Sequence, residues 1–257
     1  MNGAFYIGAT GLQAQERALE VVANNVANLN TTAFKRSEVR FAELVGAPPS
    51  ASDPKPIAGS LADLMSGVTA DASPRVFAQG ELRTTGKALD LAISGDGFIE
   101  VLGPAGQVQL WRGGTLKINA DGYLATDTGL TLKAMIAVPN GASALTIDAS
   151  GKVQATVNGA ATATDIGKLE LVLPKDLTQL SALGDGLYQA QSQADLVSAA
   201  PGEDGAGTLT QGSLETSNVQ LSDEMVTLMI MQRAYAANAQ IIQAGDQLMA
   251  IANGLKR

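Results

Sequence analysis

The two ends of the chain carry apolar residues at helical spacing, and this feature constrains the fold most. Near the N-terminus, apolar side chains recur every seven residues at Phe5, Leu12, Leu19 and Val26. Near the C-terminus, the same spacing joins Leu221, Leu228, Tyr235, Ile242 and Met249. Such spacing lines the side chains along one side of a helix. The sequence therefore predicts a long amphipathic helix at each end, within residues 1–45 and 211–257.

A helix of this kind cannot bury its apolar side alone, and this limits how the two ends are arranged. Pairing of the two terminal helices with each other would cover part of each apolar stripe. The remainder then has to pack on neighbouring chains. The pattern thus favours a protein that assembles over a free-standing enzyme.

Between the helices, the pattern changes to the alternation that is typical of β-strands. Runs at 89–93, 115–119 and 168–173 alternate, and Asp-Gly and Asn-Gly pairs between them favour tight hairpin turns. These runs predict an all-β, sandwich- or barrel-like domain over residues 76–210, and the Pro-rich residues 46–75 indicate a linker or extended loop. The predicted fold class is α+β, with the terminal helices paired as a coiled-coil-like unit around the inserted β domain.

The composition excludes much of enzyme chemistry, because the chain contains neither histidine nor cysteine. Disulfides, thiol nucleophiles, the usual zinc sites and the common general base near neutral pH are thereby removed. A net charge of −8 makes a nucleic-acid partner improbable on electrostatic grounds. No stretch approaches the roughly 20 apolar residues of a membrane helix. We expect no catalytic, cofactor or metal site, and a protein that is cytoplasmic or exported by an unconventional route without a Sec-type signal.

Acidic residues in the β region leave one alternative of another class open. Glu81 with Asp90, or Asp96 with Glu100, could act as the carboxylate pair of a glycosidase. The Asp-Gly turns could suggest calcium, but no run has the ligand spacing of an EF-hand. The alternative is therefore a secreted β-domain enzyme or glycan-binding module with helical oligomerisation arms.

The first sequence motif lies where the N-terminal helix should end, at residues 23–35. Asn24 and Asn28 are four residues apart, so their amides share one face of the helix. Phe34 is expected to anchor the chain after the turn, and the two basic residues that follow it to return the chain to solvent. A left-handed backbone at Ala33 would cost about 1 kcal/mol, so we expect a turn of another type there.

Two further motifs flank the β region. Residues 79–99 contain Leu-Asp-Leu-Ala-Ile followed by Gly-Asp-Gly and Phe, and residues 211–219 read Gln-Gly-Ser-Leu-Glu-Thr-Ser-Asn-Val before Gln-Arg-Ala-Tyr at 232–235. Taken in this order, the three motifs resemble those of the flagellar axial proteins, a family of basal-body rod, hook and hook-associated proteins. Length and motif detail are most similar to its rod members, with the distal rod ahead of the proximal rod.

The resemblance implies a function in assembly. It implies a structural subunit of the distal rod in the flagellar basal body, which self-assembles into a hollow helical drive shaft that transmits torque and passes exported subunits. Copies of the chain, other rod proteins, the hook protein and ring components are the implied partners, and the flagellar type III system is the implied export route. A proximal rod or hook-type axial subunit is the alternative within the family.

The residues expected to contact neighbouring subunits come from the two helical ends and from the motifs beside them. We predict an assembly interface made by Phe5, Leu12, Leu19, Val22, Asn24, Asn25, Val26, Asn28, Phe34, Leu221, Met225, Leu228, Gln232, Arg233, Tyr235, Ile242 and Met249.

Overall fold

A helix lies at each end of the chain and β-strands lie between them, so the predicted α+β class is confirmed. The computed structural model describes residues 2–44, 67–157 and 162–254. Helix α1 spans Asn2–Ala27 and helix α2 spans Leu221–Gly254. The described strands are β1 Ser37–Leu44, β2 Gly67–Arg75, β3 Leu82–Thr84, β4 Asp90–Ser94, β5 Ile99–Leu102, β6 Val108–Trp111, β7 Gly113–Ile118, β8 Leu124–Thr126, β9 Ala142–Ile147, β10 Lys152–Val157, β11 Thr164–Lys168, β12 Leu171–Pro174, β13 Leu180–Gly184, β14 Leu187–Ala190, β15 Leu196–Ala199, β16 Thr208–Gln211 and β17 Ser213–Glu215.

The described residues divide into two units. The helical unit holds those of Met1–Ala27, Ser37–Ser73 and Gln220–Arg257. The β unit holds those of Asn28–Arg36 and Pro74–Val219. The second unit is therefore larger than the β domain that the sequence predicts, because short pieces of both motif-bearing ends belong to it.

In the helical unit, α1 and α2 run antiparallel and pack side by side. A Cβ atom placed on Gly8 would lie 2.8 Å from Cγ1 of Ile242, and one on Gly11 would lie 2.7 Å from Nδ2 of Asn238. Farther along, the amide of Asn25 contacts the carboxylate of Glu224 at 3.1 Å. Strands β1 and β2 of this unit pair in a two-stranded sheet.

In the β unit, the described strands form five sheets, and none of these closes into a barrel. Their orders are β16-β4-β7-β8, β13-β14-β6-β5, β11-β10-β9, β12-β15 and β17-β3, with antiparallel neighbours. Hairpin turns at Asp121-Gly122 and Asp185-Gly186 join β7 to β8 and β13 to β14, as the sequence predicts. The turn at Asp96-Gly97 instead connects strands of two different sheets.

The described residues of the β unit form two apolar core clusters. The larger cluster is built from inward-facing aliphatic residues of the central strands, such as Leu91, Ile93 and Leu116. The smaller one contains Phe98 and Tyr188, whose rings meet edge to face with centroids 5.5 Å apart. Burying aliphatic and aromatic side chains in this way supplies the main free energy that holds such sheets together.

The segment 46–75, which the sequence indicates as a linker or extended loop, lies partly outside the described residues. Residues 46–66 are not described, whereas β2 occupies the last nine positions. Likewise, residues 37–44 of the first helical segment form strand β1, and the C-terminal helix begins at Leu221.

Candidate functional site

Small residues form the side of α1 that faces α2. The buried positions of this helix follow a spacing of three and four, and we call them the inner stripe: Gly8, Gly11, Ala14, Ala18, Val22 and Asn25. Small side chains allow two helix backbones to approach closely. The predicted seven-residue stripe lies beside this inner stripe, where Leu12 and Leu19 are half-buried and Val26 is exposed.

Helix α2 keeps much of its apolar surface exposed. The predicted residues Leu228 and Ile242 are half-buried, whereas Leu221, Gln232 and Tyr235 are exposed. Among the side chains of α2 that the structure describes, seven apolar ones are each more than half exposed, and together they define the outer face of α2: Met225, Val226, Met229, Ile230, Ile241, Leu248 and Ile251. Exposed apolar surface of this extent on one helix marks an interaction surface.

Two predicted interface residues have side chains outside the described part of the structure. These are Phe5 and Met249, whose backbones lie in α1 and α2.

The asparagines of the first motif have different environments. Asn25 is buried and makes bonds within its own chain, because its Nδ2 donates to the carbonyl of Ser37 at 2.9 Å and to Oε1 of Glu224 at 3.1 Å. Its Oδ1 accepts the backbone N–H of Ser37 at 3.0 Å. One side chain thus ties the end of α1 to the start of β1 and the start of α2. Asn24 is exposed, and Asn28 accepts a hydroxyl hydrogen bond from Thr31.

A buried ionic cluster joins all three sequence motifs within the β unit. Glu215 of the third motif accepts from Nζ of Lys35 at 2.6 Å and from Nε of Arg112 at 3.0 Å. The backbone N–H of Gly80, from the second motif, donates to the same carboxylate at 2.8 Å. We call Lys35, Arg112 and Glu215 the signature cluster. These side chains are 1–3% exposed, so their charges interact in a largely water-free environment.

Backbone carbonyls accept further hydrogen bonds from the two cations of the signature cluster. Lys35 also donates to the carbonyl of Ala78 at 2.9 Å, and the Arg112 guanidinium donates to the carbonyls of Gly95 and Gly97 at 2.5 Å each. Burial lowers the pKa of Lys35 below its ordinary value of 10.5, and the adjacent carboxylate opposes that shift. Because two cations share one anion, the cluster holds three distant segments of the chain together.

The turn of the first motif differs from the prediction in two respects. Ala33 adopts the left-handed backbone after all, with a φ of +55°, and Lys35 is buried rather than returned to solvent. Contacts of Ala33 itself and of the residues that follow it hold this conformation. The N–H of Ala33 donates to the carbonyl of Glu215 at 2.9 Å, and Arg75 stacks over the Phe34 ring at 4.9 Å from its centroid. Together with the ion pair of Lys35, these contacts outweigh a cost of about 1 kcal/mol for the left-handed residue.

The amide side chain of Asn218, in the third motif, connects two other backbone segments near the signature cluster. Its Oδ1 accepts the backbone N–H of Arg36 at 2.8 Å, and its Nδ2 donates to the carbonyls of Val76 and Ala78 at 2.8 and 2.9 Å. Tyr188 lies beneath the turn, and burial raises its pKa to about 12. The three motifs are thus parts of one structural junction.

Four residues of this junction are not among the predicted interface residues: Lys35, Arg112, Glu215 and Asn218. No local signal marked the buried carboxylate, because the alternation of Ser213, Leu214 and Glu215 in a short strand predicts that Leu214 points inward and that the two polar side chains face solvent. The structure buries the two polar residues and leaves Leu214 half-buried, the reverse of the usual pattern. A carboxylate at an inward position requires a buried cation, and Lys35 and Arg112 both meet this requirement.

The described residues also bear on two other kinds of site. Among them, no group of three or more acidic side chains is placed to hold a metal ion. Asp90, one of the candidate glycosidase carboxylates, is buried and accepts hydroxyl hydrogen bonds from Thr85 and Thr115 at 2.6 and 2.7 Å.

Over its described length, neither helix combines the length and apolar character needed to cross a membrane.

Three family descriptions match successive parts of the chain. Residues 5–35 match "Flagella basal body rod protein", residues 92–155 match "Flagellar hook protein FlgE/F/G D1 domain" and residues 210–255 match "Flagellar basal body rod FlgEFG protein C-terminal". The matched ends contain the first and third motifs.

Curated relatives match over nearly the whole length. The flagellar basal-body rod protein FlgG of Borreliella burgdorferi is 33% identical, with 100% of both chains covered. FlgG of Agrobacterium fabrum is 35% identical over 96% of this chain and 97% of its own. The rod protein FlgF of Caulobacter vibrioides is 32% identical over 96% of this chain and 95% of its own. The chain therefore belongs to the flagellar basal-body rod proteins, most similar to FlgG, and is a structural subunit of the basal body.

Proposed function

We propose that this rod protein assembles with copies of itself, through its terminal helices, into a hollow helical shaft in the distal part of the rod. In this proposal α1 and α2 pair as a coiled-coil-like unit, and the shaft transmits torque while exported subunits pass through it. The rod acts by mechanical coupling rather than by catalysis. Other rod proteins, the hook protein and the surrounding ring components are its further partners, and export follows the flagellar type III route.

The exposed outer face of α2 carries this proposal. The seven described apolar side chains of this face are each more than half exposed in the single chain. Full burial of a side chain of this size contributes about 1.5–3 kcal/mol, so contact with a neighbouring subunit would gain much of that at each position. Because the same face exists on every copy, the gain is repeated along an assembly. The inner stripe of α1 meanwhile holds α2 in place to present that face.

A different position along the rod is the second candidate. The observation that favours it is the match to FlgF of Caulobacter vibrioides, whose 32% identity is close to that of the FlgG relatives. A proximal rod or hook-type subunit would use the same helices, so this candidate changes the neighbours rather than the mechanism.

Substitution of one apolar residue on the outer face tests the proposal. We expect Ile230→Asp to abolish the incorporation of the chain into basal bodies when it replaces the native rod protein of a flagellated bacterium. The matched control is Ile118→Asp, because Ile118 is similarly exposed but lies in the β unit. Quantifying the chain in isolated basal bodies measures both variants. Normal incorporation of Ile230→Asp would contradict assembly through this face.

A biochemical measurement complements the cellular one. Sedimentation and negative-stain electron microscopy of the purified chain should show concentration-dependent tubes for the unsubstituted protein. Leu228→Asp and Leu19→Asp should each prevent the formation of these tubes, while the β unit of the variant stays folded. Tubes of normal appearance from either variant would refute the assignment of the helices to the interface.

A further inference from the structure

Arg233 is a cation on the outward side of α2, isolated from other charges among the residues that the structure describes. It is the one charged residue between Glu224 and Asp246, and it is exposed between the apolar residues of the outer face. Within the described part of the chain, no carboxylate forms an ion pair with it. If the outer face is covered by another subunit, this guanidinium needs a carboxylate there, because a buried charge without a partner is strongly unfavourable.

Helix α1 carries two carboxylates on its own outward side. Glu16 and Glu20 are exposed and four residues apart, so like charges lie next to each other on one face. Neither has a cationic partner among the described residues. The intervening Arg17 points elsewhere, since its guanidinium lies 3.4 Å from the carbonyl of Ala70. A cation placed between the two carboxylates would relieve their repulsion.

The two sets of charges lie on opposite sides of the helix pair. Glu16 and Glu20 are each two residues from Ala18 of the inner stripe, which is about 200° of helix rotation. Arg233 is likewise two residues from the half-buried Met231. Met231 is on the side facing α1, because it lies seven residues from both Glu224 and Asn238, which contact that helix. The charges therefore cannot pair within one chain.

The charges nevertheless lie at the same level along the pair. Gly11 is opposite Asn238, and Asn25 is opposite Glu224. Counting along the antiparallel helices between these two contacts places Arg233 at the level of Glu16. A second copy set beside the first with little axial offset would bring the Arg233 of one copy to the carboxylates of the other.

We propose that the outer face of α2 in one subunit docks on the outward side of α1 in the next, with Arg233 between Glu16 and Glu20. This inference rests on the proposed assembly function. It specifies the axial register in which neighbouring subunits meet. It is heterologous, because different surfaces of the two copies meet, and such contacts repeat into rings or helical filaments. The apolar side chains around Arg233 exclude water, so mismatched registers leave the cation unpaired and are disfavoured.

Charge exchange tests this contact. We expect Arg233→Glu alone, and Glu16→Lys with Glu20→Lys, each to reduce incorporation into basal bodies by at least about tenfold, because like charges then face each other. Combining all three substitutions should restore incorporation. Lys175→Glu, an exposed charge reversal in the β unit, is the matched control and should assemble normally. Circular dichroism of the purified variants checks that all of them fold.

Each outcome separates this inference from the general proposal. If Arg233→Glu assembles normally while Ile230→Asp does not, the ion pair is wrong and assembly through the outer face stands. If the single-sided reversals fail and the combined variant fails equally, the three residues do not pair. If neither Ile230→Asp nor Arg233→Glu impairs assembly, both the contact and the proposed use of the outer face are overturned.

Discussion

At the scale of single residues, Glu215 is where the three sequence motifs meet. Its carboxylate pairs with both Lys35 and Arg112, and all three side chains are buried. Removing one partner of a buried ion pair leaves an uncompensated charge, which costs far more than losing a pair at the surface. This carboxylate is therefore one of the contacts that hold the three motifs together, beside those of Asn218.

Replacement of the carboxylate by an amide measures its contribution. We expect Glu215→Gln to lower the free energy of unfolding of the β unit by about 3–5 kcal/mol, because two buried cations then lack an anion. Urea unfolding followed by the fluorescence of Trp111, the single tryptophan of the chain, reports on this unit. The control is Glu100→Gln, which breaks a partly exposed pair with Lys133 and should cost less than about 1 kcal/mol. Equal effects of the two substitutions would contradict a special role for the cluster.

Ala33 is a residue whose backbone conformation is set by its neighbours. Its φ of +55° is unfavourable for any residue with a Cβ atom, and glycine avoids the cost. We expect Ala33→Gly to change the free energy of unfolding by between zero and a gain of about 1 kcal/mol, since relief of strain is offset by the loss of a buried methyl group. Ala33→Val should instead destabilise by more than about 1 kcal/mol, because a branched side chain tolerates this conformation worst. The same fluorescence measurement applies, and a stabilising valine would show that the turn can change its type.

At the scale of elements, the helices show what periodicity can and cannot reveal. The existence and approximate limits of α1 and α2 follow from the seven-residue spacing. The side of α1 that contacts α2 cannot be predicted in this way. The seven-residue spacing is recognised from large apolar residues, whereas the inner stripe consists mainly of glycine and alanine. Small residues carry little hydrophobic signal, and their function is to permit close approach of the backbones. In the proposed assembly, the large apolar residues beside the inner stripe can then contact neighbouring subunits.

Enlarging one residue of the inner stripe tests this account. We expect Gly8→Leu to reduce the helical content of the purified chain, because its Cβ alone would lie 2.8 Å from Cγ1 of Ile242. Overpacking of this kind costs about 1–3 kcal/mol and outweighs the gain of about 1 kcal/mol from replacing glycine within a helix. Ala9→Leu, on the exposed side of the same helix, is the control. A rise in circular dichroism helicity for Gly8→Leu would mean that α1 and α2 do not pack at this point.

At the scale of the whole molecule, the order helix, strands, helix follows from the sequence, but the division into units does not. Residues 28–36 and 211–219 read as parts of the terminal helical segments, yet both belong to the β unit. The cause is pairing between distant positions, as in β17, where Glu215 lies opposite Leu82 of β3. Local periodicity carries no information on such pairs. The family resemblance identified the rod subunit correctly, because it depends on motif order rather than on where the chain folds back.

This division predicts which parts of the unassembled chain are least protected. We expect backbone amides of residues 2–27 and 221–254 to exchange with solvent faster than those of the β unit, because the helix pair buries mainly small side chains and leaves its outer face uncovered. Residues 211–219 should be protected with the β unit, since Glu215 and Asn218 hold them there. Hydrogen–deuterium exchange with mass spectrometry on the purified chain distinguishes peptides from 211–219 and 230–250. Assembly should slow exchange in the helices and leave the β unit unchanged. Equal protection of the helices and the β unit in the monomer would contradict this, because the outer face would then need no neighbouring subunit to stabilise it.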